Sequence, residues 1–153
     1  MATSISVANR FLELAEEAGD PLTPMQLLKL TYIAHGWMLG LHSRPLFNDR
    51  VEAWQYGPVI PALYSHVRQY RGAPVSKRVG NFLDRGKLDD QEKAVIDQVY
   101  QAYRKFTGME LSRITHASGT PWELTYEPGS FGKIIPIDLI EDHYKRLAEQ
   151  RTA

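Results

Sequence analysis

The sequence predicts a mainly α-helical domain, α+β at most, with about six helices around one core and a small β-hairpin near residues 45–55. Three observations carry that prediction. Helix-start chemistry recurs at Thr23, Asp89 and Thr120, each followed three residues later by Gln or Glu and then by an apolar run. Residues 24–41 are apolar almost all round, which suits a helix sheathed by others. No repeat, low-complexity tract or linker interrupts the chain, so residues 1–153 read as one domain. That length buries roughly 68–70% of the unfolded surface without staples.

Taken in order, Val7, Phe11, Leu14, Ala15 and Ala18 share one helical face, with Ser6 as the expected cap and Gly19 as the stop. Asp20-Pro21-Leu22 turns the chain. Thr23-Pro24-Met25-Gln26 joins a capping box to a proline at the first helical position. The helix it starts, Pro24 to Leu41, carries Leu27, Leu28, Leu30, Ile33, Ala34, Trp37, Met38 and Leu39, and is the predicted core. Ser43-Arg44-Pro45 ends it. Leu46-Phe47, Asn48-Asp49 and Val51-Glu52-Ala53-Trp54 then read as strand, turn and strand.

The most constrained stretch follows, from Trp54 through Gln55-Tyr56-Gly57-Pro58 to Pro61. Two prolines lock its backbone and one glycine frees it, so the turn dictates where Trp54 and Tyr56 point. Ile60, Leu63, Tyr64, Val67 and Tyr70 make the next helical face, closed by Gly72. Residues 71–88, with Gly72, Pro74, Gly80 and Gly86, form a long connection. Asp89-Asp90-Gln91-Glu92 opens a helix striped by Val95, Val99, Tyr103 and Phe106, and Gly108 is the expected stop. A short helix over 111–117 follows, then one or two turns launched by Thr120-Pro121-Trp122-Glu123. The last helix, after Ile135-Pro136, is lined by Leu139, Ile140, His143, Tyr144 and Leu147.

Composition narrows the function. With no cysteine, disulfides, thiolate metal sites and cysteine catalysis are excluded together, and a reducing cytosol is the expected compartment. The N-terminus lacks a signal-peptide pattern, and no apolar run reaches the roughly 20 residues of a membrane span. A soluble, cytoplasmic protein is expected, with no membrane partner. The 18 basic and 18 acidic residues cancel, so nothing draws nucleic acid to the molecule as a whole. Locally, Arg68, Arg71, Lys77, Arg78, Arg85 and Lys87 face only Asp84, either a solvated loop or a docking patch for an acidic partner. The first helix is acidic instead, with Glu13, Glu16, Glu17 and Asp20 against Arg10.

No constellation in the chain points to a catalytic, metal or cofactor site. His35, His42, His66, His116 and His143 stand in no ligand spacing and read as structural or surface residues. His116 lies among Ser112, Thr115, Ser118 and Thr120, yet no orienting acid accompanies it, and it reads as a tie between a helix end and the Thr120-Pro121-Trp122 turn. The basic segment has only Tyr70 and Phe82 to stack bases, and the helix over 24–41 is too apolar for a DNA groove. Lys29 sits on that same helix. It must find an ion-pair partner, snorkel to water beside Gln26 and Gly36, or contact another protein. Eight tyrosines and three tryptophans on a neutral scaffold suit a binding surface. Lys29, Trp54, Tyr56, Tyr64, Arg68 and Arg71 are its candidate partner-binding residues, although any one of Tyr32, Trp37, Trp54, Tyr56 and Trp122 is more often ordinary core than surface.

Three blocks in order carry a family resemblance. They are Leu27-x-Lys29-Leu30-x-Tyr32 through Gly36-Trp37, then Ala53-Trp54-x-Tyr56-Gly57-Pro58-Val59 with Pro61 and Leu63-Tyr64, then Leu111-Ser112 to Thr115-His116 with Pro121-Trp122. From about residue 5 to 147 the chain resembles the Panacea-domain antitoxin family, the phage- and mobile-element-associated GepA/SocA-like proteins. The resemblance implies a compact helical domain that is not an enzyme and that neutralises a toxin encoded nearby by direct protein–protein binding. It also implies an alternative, a proteolytic adaptor delivering the toxin to an ATP-dependent protease. A second alternative is a DNA-binding regulator of a mobile element. On the resemblance, Leu27, Leu30, Tyr32, Trp37, Gly57, Pro58, His116, Pro121 and Trp122 hold the fold, while the toxin-facing residues vary.

Overall fold

The computed structural model describes residues 2–80 and 87–152. Its first helix, α1 (Ser4–Ala18), begins at Thr3 rather than Ser6. The Thr3 hydroxyl accepts from the Ser6 N–H at 3.1 Å, and the Ser6 hydroxyl accepts from the Thr3 N–H at 2.8 Å. Ser6 thus closes the capping box from inside the helix. Gly19 ends α1 in the left-handed conformation, as its sequence predicts.

Helix α2 (Pro24–His42) starts with the expected Thr23–Gln26 box and proline. Having no polar face, it is covered on every side, by α1 and by three helices from later in the chain: α4 (Asp90–Tyr103), α5 (Gly108–Thr115) and α7 (Ile137–Thr152). The closest of these approaches is to α7. A Cβ placed on Gly36 would come within 2.2 Å of the Tyr144 ring, and one on Gly40 within 2.7 Å of the Tyr144 backbone. Two glycines in α2 therefore make the seat for one tyrosine of α7. Tyr144 also meets Trp37 edge-on at 5.3 Å and Tyr32 at 6.4 Å.

The β element is real but displaced. Strands β1 (Glu52–Trp54) and β2 (Gly57–Val59) pair antiparallel in the register Glu52↔Val59, Ala53↔Pro58, Trp54↔Gly57, so the turn is Gln55–Tyr56 and not Asn48–Asp49. Leu46 and Phe47 are buried but irregular. The Leu46 N–H donates to His35 Nδ1 at 3.2 Å and Phe47 stacks on the His35 ring at 4.2 Å, so the core helix captures what a ladder would have used. A third strand, β3 (Lys133–Ile134), pairs with β1 on its other side in the order β2-β1-β3.

Helix α3 (Pro61–Val67) continues as a 3₁₀ turn over Arg68–Tyr70. The connection after it is pinned where Asn9 exchanges hydrogen bonds with the Val79 backbone at 2.8 and 3.0 Å. Phe82, Asp84, Arg85 and Gly86, part of the basic segment weighed above, lie outside the described residues. Helix α4 opens with the expected Asp89–Glu92 box but ends at Tyr103. Gly108 does not stop it. It is the first residue of α5, which Thr107 and Glu110 start with a box of their own, and it admits the Met25 side chain where a Cβ would come within 2.8 Å. Thr120 caps the short α6 (Pro121–Thr125). An Arg10–Asp97 pair, 2.9 Å and 3.0 Å at its two contacts, links α1 to α4. Among the described residues no helix is long and apolar enough to cross a membrane.

Candidate functional site: an aromatic face around the β1–β2 turn

Trp54 ends β1 half-buried. Its indole N–H donates to Glu52 Oε1 at 2.9 Å, which orients the ring from within its own strand, since residues two apart share a face. The Arg50 Nε contacts the other Glu52 oxygen at 2.6 Å. Burial pushes the Glu52 carboxyl up, but the Trp54 and Arg50 hydrogen bonds and the Arg50 charge outweigh it, so the pKa lies below the ordinary value. A charged carboxylate thus anchors the indole.

From there aromatic contacts extend both ways. The Trp54 ring meets Tyr64 of α3 edge-on at 5.0 Å and Phe131 at 5.1 Å. The Trp122 indole N–H donates to the Trp54 carbonyl, and the Trp122 ring stacks on Tyr126 at 4.7 Å. Such packing leaves little freedom in Trp54 or Trp122. Beside them, Phe131 is 80% exposed, Tyr56 at the turn 67% and Ile134 of β3 59%. Large apolar groups in the open next to fixed rings are what a protein-binding face presents.

Beneath the turn lies Lys29, only 2% exposed. Its stem does not snorkel, and no ion pair joins it among the described residues. Its ammonium instead donates to the Pro58 carbonyl at 2.9 Å and reaches the Tyr56 carbonyl at 3.4 Å. The Ser112 hydroxyl donates to that same Tyr56 carbonyl at 2.7 Å. Burial pulls the Lys29 pKa down to about 7, while the carbonyls favour the charged form. Gly57, at φ 119, passes over the ammonium, and a Cβ there would lie 2.8 Å from Nζ.

The partner-binding candidates therefore separate. Trp54 and Tyr64 are in ring contact, and Tyr56 is exposed at the turn two residues after Trp54. Arg68 and Arg71 are exposed beyond the end of α3 and form no ion pair among the described residues. Lys29, expected to reach water or a partner, is enclosed and is not part of the exterior. Of the motif residues, Leu27, Leu30, Tyr32 and Trp37 are buried in α2, Gly57 and Pro58 in β2, and Pro121 at the start of α6. Trp37 donates to the Tyr103 hydroxyl at 3.1 Å. His116 and Trp122 are half-buried with their rings edge to face at 5.3 Å. His116 Nδ1 points at the Ser112 carbonyl and lies 3.4 Å from the Ser112 hydroxyl, which itself donates to the Tyr56 carbonyl at 2.7 Å. Among the described residues no group of three or more His, Asp or Glu side chains converges as a metal would require.

Sequence reading gave Phe131, Glu52 and Ser112 no role at the turn. Phe131 sits between Gly129 and Gly132 in a loop with no periodicity to flag it, and Ser112 works on a carbonyl that carries no side-chain signal.

The family model described as Antitoxin SocA-like, Panacea domain, matches residues 27–123. That span holds Lys29, the whole β1–β2 turn, Tyr64, Ser112 and Trp122, and stops short of Phe131. Over 152 residues the chain is 29% identical to Antitoxin SocA of Caulobacter vibrioides (strain NA1000 / CB15N), with 92% of this chain and 81% of that protein covered. No solved structure matches.

Proposed function

The chain belongs to the SocA-like, Panacea-domain antitoxin family, and from that premise we propose that it neutralises a cognate protein toxin by binding it directly, without making or breaking a bond. The observation that carries this reading is the ring run Tyr64–Trp54–Phe131, with Tyr56 exposed at the turn two residues after Trp54. Rings held by neighbours lose little conformational entropy on binding, so more of their burial appears as affinity. Tyr and Trp are also the side chains that most often anchor an interface. Arg68 and Arg71 at the margin suit a partner with an acidic rim, where they speed encounter more than they tighten the complex.

Co-expression with the product of the adjacent reading frame tests the proposal. The wild-type chain is expected to relieve growth arrest and to co-purify with that product. The double variant Tyr56→Ala, Phe131→Ala is expected to stay folded and to lose at least about 30-fold in affinity, the usual scale for two anchors. An adjacent product that is harmless alone, or that binds the double variant as tightly, overturns the reading. The partner's half-life in the same cells separates blocking from delivery to an ATP-dependent protease: an unchanged half-life means blocking alone, and a shortened one means an adaptor.

A further inference from the structure

On the reading of the β1–β2 turn as toxin-facing, we infer that Lys29 is its positioning residue: the buried ammonium draws the Tyr56 and Pro58 carbonyls inward around Gly57 and so fixes how Tyr56 is presented. Three geometric facts converge on it. Nζ lies 2.9 Å from one carbonyl and 3.4 Å from the other, on opposite sides of Gly57. Gly57 has φ 119, and a Cβ there would fall 2.8 Å from Nζ, so the turn comes this close only because the residue is glycine. Ser112 supplies a second donor to the Tyr56 carbonyl from α5, at 2.7 Å.

The N–H donors on Nζ, rather than bulk, are the working part. An apolar side chain of equal length would fill the same space and leave the Pro58 carbonyl without this donor, in a place nearly closed to water. A carboxylate beside Lys29 would have competed for the ammonium, and no ion pair occupies it among the described residues. A helix buried on all sides would tolerate leucine or methionine at this position on packing grounds alone. Lysine is explained by the carbonyls it faces.

The chain has no cysteine, so a thiol placed at position 29 is chemically unique. Lys29→Cys, alkylated while unfolded with 2-bromoethylamine and then refolded, regains an ammonium at the lysine length. Alkylation with 1-bromopropane gives the same length without charge. Backbone amide resonances of Tyr56 and Gly57 read the turn with no partner present. The aminoethyl form is expected to restore the wild-type positions and the propyl form to leave both displaced, while the amides of Gly36 and Gly40 match in the two forms. Propyl and aminoethyl forms with the same wild-type turn signals overturn the inference, as does an aminoethyl form that refolds with the turn still displaced.

Should neither form refold, Lys29→Met made as a native chain decides: it is expected to displace the Tyr56 and Gly57 amide resonances and to leave those of Gly36 and Gly40 in place. Unchanged turn resonances sink the idea. These arms stay distinct from the surface proposal. If the Tyr56→Ala, Phe131→Ala variant binds normally, the face is wrong, yet the turn resonances still report whether Lys29 holds the turn.

Discussion

Two buried bases in α2 show what a low dielectric does to a titratable side chain. His35 is stacked on Phe47 and accepts the Leu46 N–H at Nδ1, so the neutral ring with its proton on Nε2 is the form the structure uses. Burial pulls its pKa down to about 4. The unfolded chain, with a value near 6.5, binds the extra proton, so the stability His35 contributes is full above pH 6.5 and is lost as pH falls toward 4. A gap of that size is worth about 3 kcal/mol. Urea unfolding midpoints measured from pH 7 to pH 4 should fall in the wild type and fall less steeply in His35→Gln; parallel curves would mean that other groups govern the acid limb. Lys29 has the same sign at higher pH: with its folded value near 7 against 10.5, its stability term grows from pH 7 toward 10.5. The sequence marked Lys29 as an anomaly, because one charge in an apolar helix stands out. It did not reveal the resolution, since the partners are backbone carbonyls brought from residues 56 and 58 by the fold.

At the scale of elements, local chemistry was legible and pairing was not. The start of α2 is written in Thr23, Pro24 and Gln26, and the structure uses all three. Thr23→Ala should therefore cost about 1 kcal/mol in chemical denaturation, with the slope unchanged. The hairpin was displaced because Leu46-Phe47 has the composition of a strand, while its pull toward His35 depends on a contact eleven residues away. Gly108 misled for a related reason. A glycine after an apolar stripe signals a stop, but this one is small to admit Met25, a neighbour no local window contains. The Gly36–Tyr144 seat makes the sharpest demand. Gly36→Ala raises helix propensity yet drives a methyl into the ring, and overpacking of that kind costs about 1–3 kcal/mol. The paired change Gly36→Ala, Tyr144→Leu should recover part of the loss, whereas additive losses would show that the two sites do not touch in solution.

Across the whole molecule, α2 is shared by α1, α4, α5 and α7, so no part can lose its packing without stripping the same helix. Indole emission, drawn from Trp37 inside and from Trp54 and Trp122 near the surface, should therefore melt together with far-ultraviolet ellipticity in one denaturant transition; two separated midpoints would reveal a second unit within the chain. The division between hidden and displayed aromatics was the part least readable beforehand. Tyr32 and Tyr56 are alike in isolation, and only the wrapping of α7 over one and the outward turn at the other tells them apart. The Gly36–Tyr144 seat has one more consequence, for birth rather than for the finished fold. Tyr144 is made on the order of 100 residues after Gly36, which at ordinary translation speed is about 5–20 s. Through that interval the greasiest helix leaves the ribosome with its glycines bare. Nascent chains are then prime clients for hydrophobe-binding chaperones, and folded protein in a cell lags behind messenger by the time needed to deliver the last helix.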